Sequence, residues 1–142
     1  RTKEWFHRAV KPRVRPKALD AIEQHRKLGH KLVLLTNSSC YSADAATEAW
    51  GLDDFLANEF PTDPEGYLTG VFAQPLCYGD GKVVRAEAWA RDNDADLDSS
   101  FFYSDSYSDR PMLERVAEPR VVTPDPWLKR LAKRRGWPIL DW

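Results

Sequence analysis

The segment KLVLLTNSS, residues 31–39, decides the fold class. Its apolar, partly β-branched first half is typical of a strand buried on both faces of a parallel sheet. The helical pattern LDAIEQHRKLG precedes it, with Pro16 in the first turn and Gly29 as a stop. The helical pattern SADAATEAWG follows it, with Ser42 as the expected cap and Gly51 as the end. Strand, polar loop and helix in this order predict half of a βαβ unit.

The rest of the chain continues to alternate between strands and helices. ANEF and YLTGVF flank the turn sequence TDPEG and predict an appended β-hairpin. Residues 82–91 have a helical pattern, and SFFYS predicts a second buried strand that ends at Asp105. A helix over residues 111–116, a third core strand PRVVT, a basic helix from Pro126 and a short PILDW complete the chain. This alternation predicts an α/β, doubly wound and mainly parallel sheet.

Composition limits the classes of function. The chain has 142 residues, of which 42% are hydrophobic, and a net charge of −1, so no global charge attracts nucleic acid or a membrane surface. The longest wholly apolar run, residues 32–35, is far too short to cross a bilayer. Cys40 and Cys77 lack the spacing of a zinc site or a disulfide framework. We therefore expect a cytoplasmic domain that has neither a nucleic-acid nor a membrane partner.

Two polar strand ends are the candidate sites, because ligands of open α/β sheets gather at the carboxyl ends of the strands. Both ends are expected to face one crevice. Residues 36–39 offer hydroxyls, an amide and backbone N–H groups at a helix start, which suit a phosphate. The alternative is an ordinary helix cap, and the four residues alone leave both open.

The second strand end, SDSYSD, places Asp105 and Asp109 four residues apart, a spacing that suits paired carboxylates around Mg²⁺. Lys82 in CYGDGK opens the helix that leads into this strand, so its ammonium would neutralise a phosphoryl oxygen in the same crevice. The alternatives are acids that are solvated or cap the next helix, and a surface lysine.

Taken together, these segments resemble the haloacid dehalogenase superfamily, specifically its phosphoserine-phosphatase-like phosphohydrolases. LVLLTNSS is similar to the family's second motif, CYGDGK to its third and FFYSDSYSDRPML to its fourth. LTG and the closing PDPWLKRLAKRRGWPILDW also match, so the resemblance covers nearly all of residues 16–142. It implies a Rossmann-like core and a Mg²⁺-dependent phosphatase that acts through an aspartyl-phosphate on a small, phosphoserine-like metabolite.

The resemblance also implies roles for individual residues at the phosphate. Thr36 would hydrogen-bond the transferring phosphoryl group, and Asn37 would help through its amide. Lys82 would balance the charge of the nucleophile and the phosphate. Ser108, which stands where phosphoserine phosphatases have Asn, is a further candidate for phosphate binding.

At the metal, the resemblance implies that Asp105 binds Mg²⁺ directly. Asp109 would be a catalytic and metal-site residue that holds the water shell of the metal or Lys82. Ser104 stands where the fourth motif of the family commonly opens with Gly. We expect this difference to affect the substrate more than the chemistry.

The first motif of the family, DxDGT, is absent from the chain. By the resemblance it would supply the aspartyl nucleophile, the neighbouring general acid and a magnesium ligand, on a strand between those of motifs two and four. We therefore expect residues 1–15 to be the end of a helical cap and residues 16–142 to be a core that lacks its first strand.

The expected partners are the substrate, an upstream segment with the nucleophile, and a second copy of the chain. On this view the 142-residue chain alone is inactive. The alternatives are a non-catalytic phosphate-binding or assembly module and a phosphotransferase.

Overall fold

The computed structural model describes residues 1–142, which form two compact units, Arg1–Cys77 and Tyr78–Trp142. The helices and strands of the first unit are α1 (Thr2–Trp5), α2 (Pro16–Lys27), β1 (Val33–Ser39), α3 (Cys40–Trp50) and β2 (Asp54–Asn58). Those of the second unit are α4 (Asp80–Asp92), β3 (Phe101–Ser104), α5 (Arg110–Arg115), β4 (Glu118–Val122), α6 (Pro126–Arg135) and β5 (Ile139–Leu140). No helix of the chain is both long and apolar enough to cross a bilayer.

In the first unit, the amino-terminal helix is anchored by burial. After α1 the chain continues through a π-helical turn, Phe6–Val10. Phe6 is 4% exposed and packs with Ala45 and Ala46 of α3, and its ring meets that of Trp50 edge to face at 5.4 Å. The division into residues 1–15 and 16–142 stays a prediction.

Strands β1 and β2 form a parallel pair. Leu34 lies opposite Phe55, and after an irregularity in the register Ser39 lies opposite Asn58. The side chains at residues 33–36 are half-buried, so β1 is less buried than a strand covered on both faces. The reason is that β1 pairs with β2 only, and a two-stranded sheet offers little cover.

The predicted cap of α3 is wrong by one turn. The helix begins at Cys40 and Ser39 is its N-cap, with an extended backbone and a side chain that accepts from the Ser42 N–H at 3.3 Å. A capping oxygen bonds the N–H of the third residue after it, so Ser42 is the donor of this cap and Ser39 is the acceptor.

The predicted hairpin is reduced to one antiparallel bridge, between Thr62 and Leu68. The prediction that ANEF forms the first arm of the hairpin is wrong. Its residues Ala57 and Asn58 are the last two of β2, which runs parallel to β1. In the remaining stretch Pro61 has no N–H to donate to a ladder, although its carbonyl accepts from the Thr69 N–H at 3.0 Å.

The second unit is a three-stranded parallel sheet in the order β3-β4-β5. Its core contains Leu113 of α5, Val121 of β4 and Leu128 of α6, all fully buried. The predicted strands SFFYS and PRVVT and the helix from Pro126 are confirmed, with strand boundaries that differ by one residue.

The α/β class with parallel strands is confirmed. In addition, every strand except β4 pairs with one strand only, so β1 and β3, like β2 and β5, each have an edge without a partner strand.

Candidate functional site

A buried ion pair is the centre of the candidate site in the second unit. Lys82 is 6% exposed, and its Nζ lies 2.6 Å from Oδ1 of Asp109, which is 8% exposed. The Ser104 hydroxyl donates to the other carboxylate oxygen, Oδ2, at 2.7 Å. Both oxygens of Asp109 therefore have a partner, which a buried charge requires.

Local backbone geometry brings these three side chains together. Gly79 caps α4 with φ +51 and ψ −126, a conformation that side chains with a Cβ rarely adopt. The turn at Gly79 places Lys82 in the first turn of α4. Ser104 is the last residue of β3, and Asp109 ends the 3-10 turn Tyr107–Asp109 before α5.

Replacing Ser104 tests the energy of this cluster. Ser104→Ala leaves Asp109 Oδ2 buried without its donor, so we expect the free energy of unfolding to fall by about 1–3 kcal/mol. Chemical denaturation measures the change. Ser99→Ala is the matched control, because the Ser99 hydroxyl bonds the Asp96 carbonyl at the surface. Equal losses in the two variants would contradict the assigned role of Ser104.

Asp105 follows β3 and is exposed. The Asp125 N–H donates to the carbonyl oxygen of Asp105 at 3.0 Å, and the Tyr107 N–H donates to Oδ2 of Asp125 at 2.6 Å. Oδ1 of Asp125 also caps α6 by accepting from the Leu128 N–H at 2.8 Å. Asp125 thus ties the loop after β3 to a helix end, while the Asp105 side chain is presented to solvent.

The serines of this loop contact each other. The hydroxyls of Ser106 and Ser108 are 2.8 Å apart, and the Ser106 N–H donates to the Ser104 hydroxyl at 3.1 Å. Ser108, a predicted phosphate-binding residue, is half-buried within this network.

Tyr103 precedes this loop on β3 and stacks on Trp142 with ring centroids 5.4 Å apart. Burial raises the pKa of the Tyr103 phenol, and the positive charge of Arg120 partly opposes the change. The phenol therefore stays neutral near pH 7 and adds no negative charge to this end of the strand.

Thr36 and Asn37, the fourth and fifth of the seven residues of β1, form the candidate site in the first unit. Oγ1 of Thr36 accepts from the Ser38 N–H at 3.1 Å, which leaves the Thr36 hydroxyl hydrogen to donate elsewhere. Nδ2 of Asn58 donates to the carbonyl oxygen of Asn37 at 2.8 Å and to its Oδ1 at 3.0 Å. The Asn37 amide is therefore held by Asn58, and the Thr36 hydroxyl by the backbone of Ser38.

The structure thus brings Lys82 to Asp109 and keeps Asp105 four residues away in the same loop. The expectation that the two strand ends face one crevice stays a prediction, as do the catalytic, phosphate-binding and metal-binding roles. No cluster of three or more His, Cys, Asp or Glu side chains suited to a metal is present.

Three residues that shape these sites are not among the candidates that the sequence predicts. Ser104 stands out in the sequence only as a departure from a family pattern. Asp125 carries a helix-cap signature before Pro126, but that signal does not reveal its bond to the Tyr107 N–H. Asn58 ends a strand at the same edge as Thr36. It would have been found if DFLAN had been assigned as a parallel strand.

Comparison with known proteins adds independent information. Residues 1–114 match the family of haloacid dehalogenase-like hydrolases. The inhibition of morphological differentiation protein of Streptomyces azureus is 34% identical over 138 residues, which are 97% of this chain and 50% of that protein. Histidinol-phosphatase of Neisseria meningitidis serogroup C is 26% identical over 142 residues, which are 98% of this chain and 64% of that protein. The chain therefore spans about half to two thirds of these relatives.

Solved structures share the fold. A protein of unknown function from Bordetella pertussis Tohama I has a TM-score of 0.92 at 29% identity. The match covers 99% of this chain and 64% of the Bordetella chain. A phosphoserine phosphatase solved with bound substrate has a TM-score of 0.68 at 20% identity, covering 87% of this chain and 56% of its own. At that identity, the second match shows the shared fold alone.

Proposed function

Because the chain belongs to the family of haloacid dehalogenase-like hydrolases, we propose that it is part of a Mg²⁺-dependent phosphomonoesterase. The enzyme acts through an aspartyl-phosphate on a small phosphorylated metabolite. The nucleophile belongs to a segment upstream of Arg1. The extended protein is this chain together with that segment.

The Lys82–Asp109–Ser104 cluster is the observation that carries this proposal. An ammonium buried at the start of a helix loses its hydration, a cost that the ion pair with Asp109 has to offset, so a buried pair of this kind is weak evidence for a stabilising role and favours a function of the charge. Asp109 holds Nζ of Lys82 at 2.6 Å, and Ser104 holds the far side of Asp109. A cation fixed in this way stabilises negative charge without having to reorganise, which is the requirement for phosphoryl transfer.

Thr36 and Asn37 have the donors that a phosphoryl group needs. Phosphoryl oxygens accept hydrogen bonds, and the Thr36 hydroxyl has its hydrogen to donate while its oxygen accepts from the Ser38 N–H. Asn37 is exposed at the strand end and contributes its amide. We assign phosphate binding to both residues.

The residues present fit a magnesium ion. Mg²⁺ is usually held by one or two carboxylates together with water and substrate phosphate, so a cluster of three protein ligands is not required. Asp105 has the carboxylate suited to this task. Lys82 and Ser104 bond the two oxygens of Asp109, so we assign Asp109 to holding the ammonium of Lys82 in place. The bound metal would neutralise phosphoryl oxygens as a Lewis acid.

The chemistry proceeds in two displacements. An aspartate carboxylate of the upstream segment attacks phosphorus, the P–O bond to the substrate breaks, and the neighbouring acid protonates the leaving alcohol. Water then attacks the phosphorus of the aspartyl-phosphate, gives a proton back to the neighbouring acid, which is now its conjugate base, and releases inorganic phosphate and the nucleophile carboxylate. In both steps Lys82 offsets the charge that accumulates beside the phosphoryl group.

The test is release of inorganic phosphate by the extended protein from a panel of phosphomonoesters, with Mg²⁺ and with EDTA. We include phosphoserine and histidinol phosphate, because related proteins are named for these activities. Release that requires Mg²⁺ supports the proposal. A folded extended protein that binds phosphate but releases none from any ester would instead favour the non-catalytic binding module.

Replacing Asp105 tests the metal assignment. Asp105→Asn removes the negative charge that attracts the cation, so we expect Mg²⁺ to bind at least about tenfold more weakly to the extended protein. The Mg²⁺ dependence of initial rates and isothermal titration both measure this change. Asp94→Asn is the matched control, because Asp94 is exposed and Asn tolerates its φ of +52. An Asp105→Asn protein that titrates like the wild type would exclude Asp105 from the site.

A further inference from the structure

Asn58 is a buried polar residue whose carboxamide joins three parts of the first unit. It is the last residue of β2 and is 7% exposed. Its Oδ1 accepts from the Cys77 N–H at 2.8 Å, and its Nδ2 donates to Asn37 at both the carbonyl oxygen and Oδ1. A buried amide with three partners is a specific arrangement, because each missing bond would leave a polar atom unsatisfied.

The orientation of this amide follows from chemistry alone. The backbone N–H of Cys77 is only a donor, so the atom of Asn58 that faces it is the oxygen. The carbonyl oxygen of Asn37 is only an acceptor, so the atom of Asn58 that faces it is the nitrogen. Both neighbours therefore require the same orientation of the Asn58 amide.

The orientation of Asn58 then decides that of Asn37. The nitrogen of Asn58 also lies 3.0 Å from the side chain of Asn37, so the atom of Asn37 that faces it is the oxygen. The NH₂ group of Asn37 consequently lies on the other side of its carboxamide. An NH₂ group is what a phosphoryl oxygen needs, whereas an amide oxygen would repel it.

The register of the sheet explains why a side chain, and not the backbone of β2, bonds the Asn37 carbonyl. The pairing of β1 with β2 shifts between Leu35 and Ser39, so the intervening residues are not in a regular ladder. The carbonyl of Asn37 lies in this interval and takes its hydrogen bond from the side chain of Asn58.

We infer that Asn58 is a positioning residue that turns the Asn37 amide so that its NH₂ group faces the phosphoryl oxygens. This inference rests on the proposed function for its consequence in catalysis. The orientation of the amide is a property of the first unit alone and is measured separately.

The decisive variant is Asn58→Asp in the extended protein. The substituted carboxylate still accepts from the Cys77 N–H but has no hydrogen to donate, so it draws the NH₂ group of Asn37 toward itself. We expect kcat/KM to fall by roughly ten- to a hundredfold, because a charge-assisted bond to phosphate is lost. Asn93→Asp is the matched control, because Asn93 lies in the second unit, where its Nδ2 donates to the carbonyl of Trp89 at a helix end.

A double-mutant cycle separates positioning from general damage. If Asn58 acts through Asn37, then Asn58→Asp in an Asn37→Ala background has less than about a threefold further effect on kcat/KM. An undiminished loss in that background would show that Asn58 acts on structure in general and would overturn the inference.

Nuclear magnetic resonance tests the orientation without requiring activity or an acidic substitution. In Asn58→Ser, the hydroxyl has one hydrogen to donate, so it cannot bond both the carbonyl oxygen and Oδ1 of Asn37 as the amide of Asn58 does. We expect the order parameter of the Asn37 side-chain amide to fall below about 0.6, with resonances of the rest of the unit retained. An unchanged order parameter would overturn the inference. If the wild-type extended protein hydrolyses no phosphomonoester while this loss of order is seen, then the proposed function fails and the positioning of Asn37 stands.

Discussion

Lys82→Met in the extended protein is expected to lower kcat by at least about a hundredfold, because removing one preorganised charge donor from a phosphoryl-transfer site has an effect of this size. The ammonium of Lys82 is buried and held by Asp109 at 2.6 Å. Methionine keeps much of the side-chain volume but carries no charge. Steady-state kinetics on the best ester of the panel measure the change, with circular dichroism to establish folding.

Stability and catalysis need to be separated in this experiment. Lys82→Met leaves the buried carboxylate of Asp109 without its cation, which costs about 3–5 kcal/mol of unfolding free energy. In the double variant Lys82→Met with Asp109→Asn, the neutral amide no longer needs a cation. We expect stability to return in large part while kcat stays low.

The matched control is Lys129→Met on the exposed face of α6, which should leave kcat within about twofold of the wild type because exposed substitutions have small effects. Recovery of kcat in the double variant would mean that Lys82 serves only the fold. Unchanged turnover in the single variant would exclude Lys82 from catalysis altogether.

Residues 1–142 alone should hydrolyse p-nitrophenyl phosphate no faster than buffer at saturating Mg²⁺. Covalent catalysis needs a carboxylate in line with phosphorus. Asp105 is assigned to the metal, and Asp109 has both oxygens engaged. Adding back the upstream segment, on the same chain or as a separate piece, should restore hydrolysis.

The same protein tests the free edges of the two sheets. β1 and β3 each have one edge without a partner strand, and such edges favour pairing with other chains. We expect residues 1–142 to self-associate in light scattering and the extended protein to do so less. A mass-verified 142-residue monomer that hydrolyses the ester, and loses activity on Asp105→Asn, would place the nucleophile inside this chain.

Much of the architecture followed from local patterns. LVLLTNSS, CYGDGK and FFYSDSYSDRPML were sufficient to predict the family, and the match to haloacid dehalogenase-like hydrolases confirms it. SFFYS and PRVVT are predictable as strands because they are short apolar runs rich in aromatic or β-branched residues. The basic helix begins at Pro126 as expected, since proline suits a first helical turn.

The errors arose where two local interpretations compete. Ser39 and Ser42 are both acceptable caps, and only the extended backbone of Ser39 decides between them. DFLAN is not predicted as one strand, because the strong turn signal TDPEG favours a hairpin whose first arm, ANEF, includes only the last two residues of DFLAN. The strand instead finds a parallel partner 21 residues earlier in the chain, with Val33 opposite Asp54.

The sequence by itself determined the family, most of the helices and strands, and the polar residues at the carboxyl ends of β1 and β3, because periodicity and chain order are local properties that each segment carries alone. Tertiary structure decided which of those polar groups meet. Lys82 and Asp109 are 27 residues apart, and Asn37 and Asn58 are 21 apart, yet each pair is in hydrogen-bond contact. Burial makes these contacts obligatory, because a buried polar group without a partner is costly, and burial exists only after the chain has packed.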